Sequence, residues 1–589
     1  MKSTIAKLKT ALSRILRPQS SNHSPQVEEV IVDFDDGWSW IPKWSEIFHN
    51  KMDVWKTHVE NAENGPRVLM ATCTGGNSTM TPLEALIAVG LTLRGAKVEF
   101  LLCDKVLPAC PNMITVGTDD QKEFIEKGPN KCDWCFPAGF KTYEDLGLKI
   151  HTLSQWYSSE EVTESKRLAN SITFDTIADF EDLGVLIGHH AYTGTLRYFG
   201  RGDLNSEPNG LIVLKRYLEA GILTNRALHR LFNDRTFSHT VINQGIYVPQ
   251  GVVVGAAKKF ESTVTVFDVA YRKKSIIVDD WSKNFEEGVE HWKELPWNSE
   301  MEMEIQKYLN SRRKGTLDWI QVQSADGPDS VSQISKELGI DFNKPTVGLL
   351  TNVIWDAQVF YPTNAFKSMI EWLKITIQYF EQRKDIQLLI RVHPGELQGF
   401  VKSRQLAVDE INRMFPKLPE NVFVIPPESP INTYAAIEKC NAILIYATTA
   451  GIELAGVGYP VIVTGEAWVR NKGFTLDASH ESEYIKILDS LPLKPDRLEA
   501  EKFVLAQKYA YHHYFRRMIP FEMLDPQNSD NVPYTIKPVG IEGFMPGADV
   551  GLDVVCDGIL KGTNFYYPYE SVQKSSASHE FYTLGSPKH

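Results

Sequence analysis

Short apolar runs rich in β-branched residues alternate with stretches of helical periodicity along most of this chain. The alternation is sharpest in the later half. There PTVGLL, QLLIRV, NVFVIPP, NAILIY and PVIVTG are separated by NAFKSMIEWLKITIQYF, INTYAAIEKC and AGIELAGVG. Unbroken apolar runs of this length read as strands buried on both faces of a parallel sheet, and the helical stretches between them as right-handed crossovers. The pattern predicts a five-stranded doubly wound domain over about 342–500. EKFVLAQKYAYHHYFRRMI then reads as one long helix, followed by a tail rich in Gly, Pro and Ser.

The earlier half repeats the theme less regularly. RVLMATC and KVEFLLCD are strands flanking the helix PLEALIAVGLTLRG, with Thr81 as N-cap, Pro82 at its first position and Gly95 past its end. GVLIGHH reads as a strand ending at His189 and His190. HTVIN, the turn Gln244-Gly245, a helix near VPQGVVVGAAKKF and the strand STVTVFD follow. The expected organisation is a segment and linker over 1–25, an α/β domain over 26–320, a linker over 321–341, the second domain over 342–500 and a helix and tail over 501–589. The fold class is α/β, with two doubly wound, Rossmann-like parallel sheets facing a cleft and the C-terminal helix crossing back as a brace. The Gly75-Gly76 loop lacks the G-x-G-x-x-G spacing, which weighs against a dinucleotide cofactor.

Composition narrows the function. The 589 residues, 43% of them hydrophobic and 11% aromatic, suit an ordinary globular enzyme. A net charge of −12 argues against nucleic acid as a partner. No apolar run reaches the ~20 residues a membrane span requires, and no signal-peptide pattern opens the chain, so a cytoplasmic protein is expected. Residues 1–17 depart from the acidic balance: five Lys and Arg with no acid beside them, and apolar residues at helical spacing. Two readings stand. This helix lies on an anionic membrane face, making the protein peripheral, or it packs on the protein body.

Strand ends in the second domain gather polar residues where open α/β sheets hold ligands. Arg391, His393 and Glu396 follow one strand, Ser429 the next, and Thr448, Thr449, Gly451 and Glu453 the one after. Thr449 is placed to cap the next helix, whose free N–H groups suit a phosphate, and Gly451 permits close approach. Glu453 lies four residues after the cap, one too many for a capping box, and is expected to accept from a sugar or ribose hydroxyl. Arg391 and His393 lie two apart and share a face. Arg470 and Lys472, after the last strand, carry charge suited to neutralising phosphate.

T-N-V-x-W-D at 351–356, R-V-H-P-G-E at 391–396, S-P-I-N-T-Y at 429–434, Y-A-T-T-A-G-I-E at 446–453, G-Y-P-V at 458–461 and A-W-V-R-N-K-G-F-T at 467–475 together cover most of the second domain. In these motifs the chain resembles the capsule polysaccharide biosynthesis family, which includes bacterial Kdo transferases. The resemblance implies a GT-B glycosyltransferase taking a nucleotide-sugar donor, with a CMP-sugar suggested by the His-Pro pair, and a surface polysaccharide or lipid-linked glycan acceptor. It implies that His393, Thr448 and Thr449 hold the donor phosphate. The Thr-Thr pair stands where relatives often carry Ser. The first domain matches less specifically, through L-R-Y-F at 196–199 and N-Q-G-I at 243–246.

Transfer with inversion needs a base for the acceptor hydroxyl. His190 is the first choice, with Asp268 and Glu181 as further candidates. Cys103, Cys110, Cys132 and Cys135 cluster in sequence, and Cys132-Asp-Trp-Cys135 has metal-knuckle spacing. In a cytosolic chain this favours a structural Zn²⁺ over disulfides, with an iron–sulfur cluster as the other metal reading. Two rival functions share the architecture: a sugar-nucleotide epimerase, and a noncatalytic scaffold that keeps a nucleotide pocket.

Overall fold

Strands form where the apolar runs stand. The computed structural model describes residues 38–113, 118–281, 287–314, 318, 330–357, 363–398, 401–527 and 534–573. The basic segment expected over 1–25 lies outside the described residues. In chain order the strands are β1 (Arg67–Cys73), β2 (Lys97–Leu102), β3 (Lys149–Thr152), β4 (Glu181–Asp182), β5 (Val185–Leu186), β6 (His239–Asn243), β7 (Thr263–Val269) and β8 (Ser275–Asp280). The later half adds β9 (Thr346–Leu350), β10 (Gln387–Arg391), β11 (Val422–Ile425), β12 (Ala442–Ile445), β13 (Val461–Val463) and β14 (Leu476–Asp477). Three short strands follow, β15 (Met518–Pro520), β16 (Leu524–Pro526) and β17 (Tyr534–Ile536).

The second sheet is fully parallel and runs β11-β10-β9-β12-β13-β14. It has six strands where five were expected, because the two-residue β14 pairs with β13 beyond the last apolar run. Every residue of β9, β10 and β12 is buried, as helices on both faces require. Strand order reverses between β9 and β12. Their carboxyl ends therefore diverge and open a crevice.

The first sheet runs β15-β8-β7-β6-β1-β2-β3. Its parallel part, from β7 to β3, has the same doubly wound order, and β8 and β15 extend it antiparallel. The helix Met80–Leu93 behind it is buried along its whole length. It starts one residue before the expected cap Thr81, and the Asn77 side chain accepts from the Thr79 and Met80 N–H groups instead. Helix Val550–Lys561 crosses it at Gly90, where a Cβ would stand 2.7 Å from Leu552 and 2.9 Å from the Cys556 sulfur.

GVLIGHH does not form the expected strand. It folds into the tiny β4-β5 hairpin, and His189 and His190 lie in the first turn of helix Gly188–Phe199. A helix, Val331–Leu338, occupies the expected linker. The long C-terminal helix ends at Tyr511, widens into a π-helical turn over His512–Arg517 and becomes β15. The chain thus crosses back to the first sheet, pairing Met518 with Ile277 and Pro520 with Ser275.

Two buried charge clusters fix that crossing. Arg517 reaches Asp279 at 2.6 Å and Glu287 at 3.2 Å, and His512 meets Glu287 at 2.5 Å. Arg312, from helix Ser299–Arg313, pairs with Asp318 and, at 2.9 Å, with Glu453. Its guanidinium stacks over the Tyr271 and Tyr514 rings. Among the described residues no helix is long and apolar enough to cross a membrane.

Candidate active site

The carboxyl ends of both sheets face one cavity of 360 Å³. The first sheet supplies Gln244 and Tyr247 after β6, Asp268 on β7, and Asp279 and Trp281 at the end of β8. The second supplies Asn352 and Asp356 after β9, Ala447 and Thr449 after β12, and Glu466, Trp468, Arg470 and Lys472 after β13. The cavity sits where the β9/β12 crevice opens. Gln244 and Gly245 both carry positive φ, 57° and 77°, confirming the expected sharp turn at the first sheet's edge.

The walls are polar and partly pre-bonded. Asp268 accepts from Gln244 Nε2 at 2.9 Å and from the Val269 N–H at 2.8 Å. Burial pushes its carboxyl up to about 6, against those hydrogen bonds and helped by nearby Asp356. Asp356 accepts from the Tyr247 hydroxyl at 3.0 Å, a bond between the two halves of the cleft. Burial raises this carboxyl too. Lys472 lies over the Tyr509 ring and donates to the Glu287 carbonyl at 3.2 Å. Its ammonium is lowered by burial, with Glu287 acting in the opposite sense. The buried Asn352 Oδ1 accepts no hydrogen bond among the described residues. A buried acceptor of this kind at a cavity wall suits a ligand donor.

Of the ten expected donor residues, Thr449, Arg470 and Lys472 line this cavity. Arg470 donates to the Ala478 carbonyl at 2.9 Å and to Ser479 Oγ at 3.3 Å, so its charge braces the loop it stands on. Thr449 holds the N-cap position but makes no side-chain cap bond. Thr448 Oγ1 instead accepts from the Ala450 N–H at 3.3 Å.

The others hold the domain together. Arg391 is buried and donates to the Pro426 carbonyl at 2.6 Å, the Ser429 carbonyl at 3.2 Å and Thr433 Oγ1 at 3.3 Å. It clamps the loop after β11, and Ser429 is part of what it clamps. Replacing Arg391 with Met should cost about 3 kcal/mol of stability, since two carbonyls lose a charged donor; urea melts read this directly. Glu396 is fully buried and accepts from the Ala407 N–H at the start of helix Ala407–Met414. Burial raises its carboxyl to about 7. Glu453 binds Arg312 and the Tyr434 hydroxyl, which leaves it serving the Arg312 cluster and not a sugar hydroxyl. At Gly451 a Cβ would lie 2.6 Å from Ile445 and 3.0 Å from Val469, so this glycine serves packing, not ligand approach.

His393 caps its own turn. Its Nδ1 accepts from the Gly395 N–H at 3.0 Å, and its backbone N–H donates to Thr351 Oγ1 at 2.9 Å, one residue from Asn352. Burial and then Arg391 lower the imidazole to about 4, so at neutral pH it is uncharged. With Nδ1 as acceptor, the proton of the neutral ring sits on Nε2, a hydrogen-bond donor.

His190, the expected base, points elsewhere. Nδ1 donates to the Ile246 carbonyl at 2.6 Å, and the ring packs on Gly251, whose Cβ would lie 2.2 Å from it. Burial lowers it to about 4. Glu181 is exposed on β4 and absent from the cavity wall. Asp268 alone of the three candidates lines the cavity.

Cys103, Cys110, Cys132 and Cys135 do converge on a separate small cavity behind the first sheet's edge. All are free thiols, raised by burial. Among the described residues no group of three or more His, Cys, Asp or Glu side chains stands at metal-holding spacing, so the expected zinc site is not preformed.

Sequence reasoning overlooked Asn352, Asp356 and Tyr247. The signal was present in T-N-V-x-W-D, which places Asn352 and Asp356 at the end of the central strand β9.

Residues 323–509 match the family described as capsule polysaccharide biosynthesis protein. No curated protein matches the chain. Among solved structures, the chain is similar to Thermosulfurimonas dismutans KpsC, a beta Kdo 2,4 transferase, at 14% identity over 47% of this chain and 79% of that one, with a TM-score of 0.32. It is also similar to Acinetobacter baumannii MurG, at 11% identity over 76% and 95% of the two chains and a TM-score of 0.24. The Neisseria meningitidis UDP-GlcNAc 2-epimerase gives 11% identity over 75% and 95%, with a TM-score of 0.22.

Proposed function

We propose that this chain, whose residues 323–509 match the capsule polysaccharide biosynthesis family, is a glycosyltransferase moving a sugar from a nucleotide-activated donor to a glycan or lipid-linked acceptor. The observation that carries the reading is a cavity between the carboxyl ends of two doubly wound sheets. Ligands of such sheets sit there, and a cleft between two domains brings together two substrates and excludes water. On the second-domain side, Lys472 offers charge to the donor phosphate, and Thr449 and Asn352 offer polar contacts. His393 Nε2–H, one loop away, extends this edge. On the first-domain side, Asp268 takes the acceptor hydroxyl proton while the new bond forms at the sugar carbon and the nucleotide departs with the old bond's electrons.

The test is a panel of CMP-, UDP-, GDP- and dTDP-sugars. One donor should bind in calorimetry, and Lys472→Ala should weaken it about tenfold, the loss of one charge-assisted contact. Sugar should move only when an acceptor glycan is added. Conversion of the donor alone to its epimer would support the epimerase reading. Binding without turnover on any acceptor would support a scaffold.

A further inference from the structure

The loop after β13 brings an indole to the cleft as well as two cations, and the proposed transfer leaves that ring without a role. Trp468 is half-buried and lines the 360 Å³ cavity. The Arg517 guanidinium carbon lies over the ring, 5.3 Å from its centroid, and the His513 ring stands 5.2 Å away. Both belong to the π-helical turn His512–Arg517 and reach the indole from it. Both are buried, and neither lines the cavity. The ring surface they leave uncovered is turned to the cleft.

The indole is held in place from behind. Its backbone carbonyl accepts from the Tyr509 hydroxyl at 2.6 Å. Arg517 also binds Asp279 at 2.6 Å, so one cation ties this second-domain loop to β8 of the first sheet. Ile277, Asp279 and Trp281 alternate along β8 and just past its end, share one face, and all line the cavity. The second-domain wall thus presents a fixed indole, and the first-domain wall presents Ile277 and Trp281. A flat apolar ring suits the space between such walls.

Position selects which ring. In the second sheet β9, β12 and β13 are neighbours, at a spacing of about 4.8 Å. Asn352 and Thr449, assigned to the phosphate end of the donor, follow β9 and β12, while Trp468 follows β13. The offset is one to two strand spacings, roughly 5–10 Å, which a ribose spans between a phosphate and its base.

We propose that Trp468 is the stacking platform for the nucleobase of the donor. This rests on the reading of the cleft as a nucleotide-sugar site and adds to it where the base lies. Every nucleobase offers a π-face, so the platform supplies affinity whichever base the donor carries. A ring already locked by Arg517 and Tyr509 gives that affinity at little cost in ordering.

Calorimetry on the full chain uses CMP, UDP, GDP and dTDP, with ribose 5-phosphate and pyrophosphate as base-free probes. The best nucleotide should bind at least about tenfold more tightly than either base-free probe. Trp468→Ala should weaken that nucleotide about 5- to 150-fold, the range for one lost stacking contact, and leave the base-free probes unchanged. Trp468→Phe keeps a π-face and should retain most of the affinity. Should Trp468→Ala fail to fold, ultraviolet crosslinking of the bound nucleotide to the native chain decides: the peptide carrying Trp468 should be labelled. Nucleotide affinity that survives Trp468→Ala, base-free probes that match the nucleotide, or a label on another peptide would each overturn the platform and leave the transferase reading standing. A native chain that binds none of the four nucleotides would overturn both.

Discussion

Asp268→Asn is expected to lower kcat by about 10²–10⁴-fold while leaving donor affinity nearly unchanged, because a positioned general base contributes on this scale. Its carboxyl sits at about 6, so kcat/KM of the native enzyme should rise with pH through that value as the carboxylate forms. The variant should lose that limb. Stability separates this from a folding defect. A raised carboxyl keeps its proton longer in the folded state, so its stabilising contribution is full below the ordinary carboxylate range and is lost as pH rises through about 6. At pH 8 the variant should therefore melt no lower than the native chain. A folded variant that keeps full activity would remove Asp268 from the chemistry.

Arg517→Leu should cost about 3–5 kcal/mol, the usual penalty for stranding buried charge. Arg517 is 3% exposed and is the cation shared by Asp279 and Glu287 beneath the cleft. Burial alone would raise Glu287, but Arg517 and His512 hold it well below the ordinary carboxylate range. The stability it contributes is present at neutral pH and is lost as pH falls through that depressed value. In the variant, acid unfolding should begin at higher pH. Adding Glu287→Gln should recover part of the loss, since the stranded charge is then gone. Denaturant melts across pH read both effects, and additive losses in the double variant would refute the coupling.

Much of the fold was legible because buried parallel strands announce themselves as unbroken apolar runs. QLLIRV and NAILIY are strands of the second sheet, and its order follows from helical crossovers. β14 escaped notice because two residues at a sheet edge carry no periodicity. GVLIGHH misled for the opposite reason. It is apolar enough for a strand, yet tertiary packing of His190 on Gly251 places it at a helix start.

The site was legible by location more than by residue. Strand ends were the correct edge, but an Arg or Glu there has two uses that sequence does not separate. Arg391 meets carbonyls, and Glu453 meets Arg312, a partner 141 residues distant in the chain. Such long-range pairings set which polar groups remain open to a ligand. Asn352 and Asp356 were visible as motif letters and acquired a role only once β9 was seen to be central.

The return of β15 to the first sheet has a consequence for biosynthesis. β8 has its outer hydrogen-bonding edge covered by a strand that is translated more than two hundred residues later. A nascent first domain therefore emerges with an uncovered edge, the kind that invites pairing with other chains. Halting translation just before Met518 should leave a product that sticks to itself, and coexpressing the missing C-terminal piece should restore solubility.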